Sequence, residues 1–512
     1  MYVLLDSYFE ATSGLLDLFM VDEIDSLVAE RAALPSRDPS DNTRRKDFAS
    51  LDVALAIGAE TQPRSMRRTE PHLQVGLFSR ARQVAFEDML ASPSVEMVRL
   101  FLLMSFYMLG ICSRNSASMY LGVASQAADV LGLSGNQRRD SRNEDILSLR
   151  ISKSLAVINI LASFILGRRP STAPASTEPS TFVYVNSSAA GNNQSTFSAI
   201  LEGCLRIEKI VQSLRTRHIL HVPTAESLLE QLRCWTQSLS GPVRQFTFSQ
   251  DGEHDSAERQ SIIGHVHLLC VYYFSVILIT RPFLIAYLLS RLRGRAPDHL
   301  MNDPDEAADT AIKNSKVSKL AQVCVSSAIC MMESLQKVKR SPFLFGNLCF
   351  LRAWVFGSGL VLGFSMFAGE PRLDIQEAFD GALNVLDEIG TMCPQARAYH
   401  GILADFAEAV SKYRQLVALE IRKTVLHYLD PTPFLEISRE KNQQVPIPFA
   451  VNNIASDIGG SNMQPSGTCG EPNDVAMDIG LQIIWPDLDL RTIDDTLLAT
   501  MQPVEEAFYS AE

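Results

Sequence analysis

The histidines are too widely spaced to build a metal site by themselves. His265 and His267 form the densest pair, and side chains two residues apart do not face each other on a helix. On a strand the same two imidazoles would share a face, so the element that carries them decides. His218 and His221 lie three residues apart and can share a helix face, but no carboxylate or cysteine set accompanies them. We predict that His265 and His267 are core or boundary residues and that they bind no metal.

The nine cysteines have the pattern of neither a zinc site nor a disulfide framework. Their number is odd, their spacings are long and no Cys-x-x-Cys occurs. Cys324 and Cys330, six residues apart on one predicted helix, point about 120° away from each other around its axis. Most cysteines lie in apolar stretches, where they behave as small apolar residues, so we predict core packing and a reducing compartment. The full set is Cys112, Cys204, Cys234, Cys270, Cys324, Cys330, Cys349, Cys393 and Cys469.

Motifs for enzymatic chemistry are missing from the sequence. It contains no Gly-x-Ser-x-Gly, no phosphate-binding loop and no dinucleotide fingerprint. A helical enzyme that binds magnesium, such as a terpene-cyclase-like protein, would need acidic clusters that face a cavity. The acidic groups Asp22 with Asp25, and Asp303 with Asp305 and Glu306, stand at the edges of polar loops. A helical enzyme is therefore the least favoured hypothesis, and we predict a non-enzymatic protein.

The charge balance is acidic, with 46 basic and 58 acidic residues and a formal net charge of −12. A duplex-binding surface needs clustered Lys and Arg to neutralise phosphates. The densest basic run, Arg44-Arg45-Lys46, lies at the end of residues 31–47, a polar stretch with two prolines that is typical of a loop. We interpret the run as part of a solvated loop rather than as a nuclear-import or nucleic-acid-binding segment.

The C-terminal residues have a different composition from the rest of the chain. Residues 429–480 contain repeated Pro, Asn, Gln, Ser and Gly, which predicts a disordered linker. Residues 481–512, here called the acidic tail, hold seven acidic residues and one Arg with bulky apolar residues between them. Such interleaving keeps a segment hydrated while offering anchors to a partner groove; a merely disordered acidic terminus is the alternative. The predicted anchors are Trp485, Leu488, Leu497 and Leu498.

The elements that precede this tail are predicted to be helices, because apolar residues recur at three- and four-residue spacing. We predict an all-α body over residues 1–428, with flexible inserts at about 171–199 and 294–306. The predicted helices lie at about 51–59, 77–91, 95–111, 116–131, 145–166, 200–217, 224–239, 258–292, 307–339, 343–367, 374–390 and 396–428.

Two apolar segments come close to the length and composition of a membrane span. The charge-free segment Ala353 to Gly369 has 17 residues, whereas a span needs about 20. The segment around Tyr272 is interrupted by Arg281-Pro282. We predict that both are buried core helices and that the protein does not associate with membranes. Met1 to Phe9 includes Asp6 and no basic residue, so it is not a secretory signal.

Several motifs occur in an order that resembles a known family. Residues 119–133 read Met119-Tyr-Leu-Gly-Val-Ala-Ser-Gln-Ala-Ala-Asp-Val-Leu-Gly-Leu133. They are preceded by Leu5-Asp-Ser-Tyr-Phe-Glu and by Leu51 to Glu60, which contains Ala56-Ile-Gly-Ala59. They are followed by Arg150 to Pro170, by Leu278-Ile-Thr-Arg-Pro-Phe-Leu284 and by Cys324 to Met332. Together these stretches resemble the fungal-specific transcription factor domain, the middle homology region of fungal zinc-cluster regulators.

The resemblance implies an all-α regulatory domain, a nuclear location and a role in transcription, often for metabolic or secondary-metabolite gene sets. The family's DNA reader is an N-terminal cluster of six cysteines that holds zinc, and this sequence shows no such set. We therefore expect no zinc cofactor in this chain and direct DNA binding only with an added N-terminal module. The expected partners are the transcription machinery, recruited by the acidic tail, or another zinc-cluster regulator. In the second case the chain would be a DNA-binding-deficient co-regulator, as a homo- or heterodimer.

Overall fold

A computed structural model describes most of the first 428 residues. The described ranges are 1–33, 42–62, 72–87, 93–133, 142–165, 192–216, 221–247, 255–293, 316–338, 348–370, 372–391 and 393–428. These ranges consist of helices and the turns that join them, with no β-strand among them. The predicted all-α class is confirmed. The predicted insert at 294–306, the linker and the acidic tail lie outside the described residues.

Fifteen helices lie in these ranges, and we number them in chain order. They are α1 Tyr2–Thr12, α2 Val21–Ala33, α3 Asn42–Thr61, α4 Leu73–Glu87, α5 Val95–Gly110, α6 Arg114–Val130, α7 Arg142–Ile165, α8 Asn192–Thr216, α9 Val222–Ser238, α10 Gly241–Arg244, α11 Ser256–Arg293, α12 Lys316–Val338, α13 Leu351–Phe367, α14 Leu373–Gly390 and α15 Pro394–Tyr428.

The central helices are those that are apolar on most sides. In α5 the residues Leu100 to Met104 are fully buried, and α13 is buried along nearly its whole length. A helix that is apolar all round has to be enclosed by others, and here α11, α12 and α13 pack against one another. The buried side chains form one continuous core that extends from α1 to α15. Ser94 begins α5 as the N-cap, because its hydroxyl accepts the Met97 N–H at 3.3 Å.

Gly58 is the residue that lets α1 and α3 cross at close range. A Cβ atom at this position would lie 1.8 Å from the Leu4 carbonyl oxygen, so a larger residue does not fit without moving a backbone. Small residues on both sides, Ala56 and Ala59, are buried as well. The stretch of small residues in α3 therefore serves helix packing.

The basic run Arg44-Arg45-Lys46 is helical, so its prediction as part of a solvated loop was wrong. It lies in the first turns of α3, where Arg44 contacts Glu30 at 3.0 Å and Arg45 contacts Glu87 at 2.6 Å. Lys46 is buried, with its ammonium 3.5 Å from the Ser94 hydroxyl. The Glu30 carboxylate of α2 and the Glu87 carboxylate of α4 thus form ion pairs with Arg44 and Arg45 and hold both side chains against neighbouring helices.

Helix boundaries differ from the predicted ones at three further places. Helix α8 begins at Asn192, so the end of the predicted insert 171–199 is helical; Thr196 and Phe197 are buried there. Helix α13 begins at Leu351, after a turn at 348–350, rather than at 343. Helix α4 begins at Leu73, four residues earlier than predicted. At α8 tertiary burial, which local periodicity does not report, accounts for the earlier start.

Two stretches of the described chain are long and apolar enough to cross a membrane by length and composition. They are Ile146–Ser163 in α7 and Ser256–Leu288 in α11, which are 56% and 72% buried among the other helices. Such burial is typical of core helices. The predicted core burial of the segments around Tyr272 and in 353–369 is confirmed, and α11 continues through Pro282.

Candidate functional site

The predicted anchors of the acidic tail, Trp485, Leu488, Leu497 and Leu498, lie outside the described residues. His265 and His267 lie on α11, as the helical prediction required, and face different neighbours. His267 is fully buried, and its Nδ1 donates to the Ser13 carbonyl at 2.9 Å. Asp22 and Asp25 are exposed on α2 rather than turned to a cavity. Within the described ranges no three His, Cys, Asp or Glu side chains converge as metal ligands.

His265 lines a largely apolar cavity between the described helices. A cleft of about 390 Å³ lies between α9, α10, α11 and α12, and we call it the α11 cleft. This volume falls within the usual range for small-molecule sites. Its lining is mostly apolar and aromatic: Trp235, Thr236, Leu239, Val243, Arg244, Phe246, Ile262, His265, Val266, Leu268, Leu269, Tyr272, Tyr273, Ser334, Leu335, Lys337 and Val338.

Aromatic rings form much of the wall of the α11 cleft. Phe246 stacks on the His265 imidazole with ring centroids 3.8 Å apart and an interplanar angle of 11°. Trp235 lies 6.5 Å from Tyr272, which is itself 5.2 Å from Tyr273. These rings pack against one another and give the cleft an aromatic, largely apolar wall.

The His265 ring offers a hydrogen-bond acceptor. Its Nδ1 lies 2.7 Å from the Ser261 carbonyl oxygen, so Nδ1 carries the proton and donates. Its Nε2 is buried and has no hydrogen-bond partner within the described ranges. Burial lowers the pKa of His265, with a smaller opposing effect from the hydrogen bond to Ser261. The ring is therefore neutral at pH 7, and Nε2 presents a lone pair.

Trp235 supplies a hydrogen-bond donor that, like the His265 Nε2 acceptor, is buried and unpartnered among the described residues. Its side chain is 1% exposed, and the indole Nε1 finds no acceptor among the described residues. The pKa of Tyr273 is raised to about 12, mainly by burial and further by the neighbouring Cys330, so this phenol is neutral too. The charged residues Arg244 and Lys337 are exposed at the rim. An uncharged aromatic compound with a hydroxyl group matches this neutral interior, since a hydroxyl both donates and accepts.

A second groove meets the α11 cleft at Trp235. It has a volume of about 580 Å³, lies between α8 and α9, and is lined by polar residues such as Glu202, Arg206 and Glu230. The Arg206 guanidinium lies 5.5 Å from the Trp235 ring centroid, in cation–π range. Trp235 thus separates a polar groove from an apolar cleft, and a shift of this ring would affect both.

The α11 cleft was missed from the sequence because its residues come from four helices spread over about 100 positions. The cleft combines an open volume with two unpartnered polar atoms in its lining, and neither property is visible in a sequence. A pair of thiols, Cys112 and Cys393, was missed for the same reason. Their sulfurs lie 3.2 Å apart although 281 residues separate them.

Comparison with known proteins bears on residues 35–231, from the segment before α3 to the middle of α9. No curated protein matches the chain. The resemblances at Leu5, at Leu278 to Leu284 and at Cys324 to Met332 lie outside the matched range. Residues 35–231 match the family model of the fungal specific transcription factor domain, which confirms the resemblance that the motifs at Leu51 to Glu60, 119–133 and 150–170 carry.

Proposed function

We propose that the chain is a fungal transcription regulator that acts in the nucleus. The match of residues 35–231 to the fungal specific transcription factor domain carries this proposal. The continuous helical core supports it, because the matched segment shares its core with α11 to α15. The helical body then holds the activity in check or releases it, and the controlled genes belong to a metabolic or secondary-metabolite set.

The acidic tail is the part that recruits the transcription machinery in this proposal. Seven acidic residues keep residues 481–512 hydrated, and the four anchors Trp485, Leu488, Leu497 and Leu498 supply the apolar contacts. A segment of this kind orders on binding, which permits several partners at modest affinity.

The α11 cleft is the part that receives the signal. Its volume, its aromatic wall and its two unpartnered polar atoms support a small uncharged aromatic ligand with a hydroxyl group. Binding would satisfy Trp235 Nε1 and His265 Nε2 and fix α9 against α12. The natural effector belongs to this chemical class.

A reporter assay tests the tail. The full chain is fused to a heterologous DNA-binding domain, and a promoter with the matching site drives the reporter. Deletion of 481–512, or replacement of the four anchors by Ala, should remove most of the activation. The matched control replaces four polar residues of the same tail, Gln482, Thr492, Thr496 and Gln502, by Ala and should activate normally. Unchanged activation after the deletion would overturn the tail assignment.

A co-regulator role is the second candidate, since the nine cysteines of this sequence contain no six-cysteine zinc cluster. In that case the chain reaches DNA through another zinc-cluster protein. Gel-shift assays with the purified chain, alone and with nuclear extract, distinguish the two roles. A shift that requires the extract supports the co-regulator, and tight sequence-specific binding by the chain alone rules it out.

A further inference from the structure

Two cysteines that are 281 residues apart in the sequence meet in the folded protein. The sulfur of Cys112, in the turn between α5 and α6, lies 3.2 Å from the sulfur of Cys393, which directly precedes α15. Both residues are half-buried, so a small oxidant can reach them. We propose that Cys112 and Cys393 are a redox-active pair that a peroxide converts into a reversible disulfide. This inference is independent of the proposed role in transcription.

The backbone at Cys112 is the first supporting observation. Its φ is +65°, the only positive φ of a non-glycine residue in the described ranges. The backbone N–H of Cys112 donates to the Leu109 carbonyl, and the backbone N–H of Ser113 donates to the Met108 carbonyl. This is the hydrogen-bond pattern of a helix that ends in a left-handed residue.

Two other helices end with the same hydrogen-bond pattern and use glycine at this position. They are α6, with Gly132 at φ +68°, and α13, with Gly369 at φ +70°. Glycine adopts this conformation without the steric cost that a Cβ atom brings. At the end of α5 the chain carries a thiol where the backbone favours glycine, and that thiol is the one that faces Cys393.

The surroundings of Cys393 are the second observation, because they favour its thiolate. The Cys112 thiol donates toward the Cys393 sulfur, and this hydrogen bond is the main cause that lowers the pKa of Cys393. Burial raises the same pKa, whereas Arg352 and the backbone N–H groups of Gln395 and Ala396 lower it further. Cys393 directly precedes Pro394, the first residue of α15, and its sulfur accepts from backbone N–H groups of the first turn of that helix. The same hydrogen bond, together with burial, raises the pKa of Cys112.

Arg352 holds the two ends of the pair together. Its guanidinium donates to the Leu109 carbonyl at the end of α5 and, at 3.0 Å, to the Gln395 side chain in α15. Next to it, Arg114 donates to the hydroxyl of Tyr399, which also accepts from Gln395 at 3.0 Å. The approach of the two sulfurs is therefore fixed from both sides. Since a disulfide has an S–S length of about 2.0 Å, closing it needs a movement of about 1 Å.

The reaction uses one peroxide for each disulfide. The Cys393 thiolate attacks a peroxide oxygen: an S–O bond forms, the O–O bond breaks and hydroxide leaves, which takes up a proton to become water. Cys112 then attacks the sulfur of the Cys393 sulfenic acid: the S–S bond forms, the S–O bond breaks and the second water leaves with the Cys112 proton. The two sulfurs lose two electrons in total and hydrogen peroxide gains them. A thiol reductant reverses the change by disulfide exchange.

Peptide mapping of the full chain tests the pair. The reduced protein is treated with hydrogen peroxide, free thiols are alkylated, and trypsin is added without reductant. Cys112 lies in the tryptic peptide 100–114 and Cys393 in 373–397, and neither peptide holds another cysteine. A linked 100–114/373–397 peptide that disappears with dithiothreitol is the expected result.

Three variants make the result decisive. Cys393→Ser and Cys112→Gly should abolish the linked peptide, and Cys112→Gly suits the left-handed backbone, so loss of linkage is not due to misfolding. In Cys112→Gly the sulfenic acid at Cys393 should persist and react with dimedone. The matched control is Cys349→Ser, which removes another thiol near Arg352 and should retain the linkage. Peroxide treatment that yields no linked peptide, or that links Cys393 to Cys349, overturns the proposal.

Discussion

The guanidinium of Arg99 lies 2.5 Å from the Asp47 carboxylate and is 1% exposed. Its other terminal nitrogen contacts Glu23, also at 2.5 Å, and the group sits 4.8 Å from the centroid of the Phe19 ring. One side chain of α5 thus joins α2 and α3. The guanidinium is enclosed by the core and its two carboxylates are partly buried, in contrast to the exposed pairs on the outer faces.

Replacement of Arg99 by Met should destabilise the body by about 3–5 kcal/mol, because it leaves the Asp47 and Glu23 carboxylates partly buried without their cation. Urea unfolding followed by circular dichroism measures the change. The control is Arg233→Met, since Arg233 pairs with Glu230 on an exposed helix face and should leave the transition where it is. Equal effects of the two variants would contradict the structural role of Arg99.

Acid should destabilise the fold through His267. Burial lowers the pKa of His267 to about 4, against an ordinary value of 6.5, so only the unfolded chain binds a proton between these values. The stability from the neutral buried ring is complete above pH 6.5 and is lost as the pH falls to about 4, up to about 3 kcal/mol.

The difference between wild type and His267→Asn isolates this effect from that of the carboxylates. Asn keeps a donor for the Ser13 carbonyl and does not titrate, so its unfolding free energy should decline less over this pH range. His72→Asn, at an exposed position, should follow the wild type. Parallel pH curves for wild type and His267→Asn would show that the ring is not protonated on unfolding.

Two glycine substitutions should have opposite signs. Gly58→Ala places a Cβ atom 1.8 Å from the Leu4 carbonyl and should cost about 2 kcal/mol or more, since α1 and α3 must separate. Gly122→Ala in α6 meets no atom within 4 Å and should stabilise by about 1 kcal/mol through helix propensity. Thermal unfolding of both variants checks the pair. A stabilising Gly58→Ala would mean that the two helices are not in contact.

The α11 cleft should bind 2-naphthol, which has a flat apolar body and one hydroxyl. Quenching of tryptophan fluorescence reports binding, because Trp235 lines the cleft. His265→Phe keeps a ring against Phe246 but removes the Nε2 acceptor, so 2-naphthol should bind about tenfold more weakly. Naphthalene, which lacks the hydroxyl, should bind both proteins equally. An equal loss for the two probes would show that His265 contributes shape rather than a hydrogen bond.

Much of the helical fold follows from the sequence, because the signals are local. Apolar residues at three- and four-residue spacing place α5, α6 and α11 nearly where the structure has them, and a helix satisfies its own backbone hydrogen bonds. Ordered motifs indicate the matched domain as well. The apolar periodicity around His265 and His267 indicates a helix, and their two-residue spacing on a helix then gives them different neighbours.

Tertiary structure alone decides which distant residues meet. The basic run at 44–46 has the composition of a loop, yet carboxylates of α2 and α4 hold it in α3. Trp235 and His265 become a candidate binding site only because four helices surround them and leave two polar atoms unpaired. The Cys112–Cys393 contact depends on how α5, α13 and α15 pack around Arg352. Helical periodicity records which face of each helix is buried, whereas the partner of that face is set by packing across hundreds of residues.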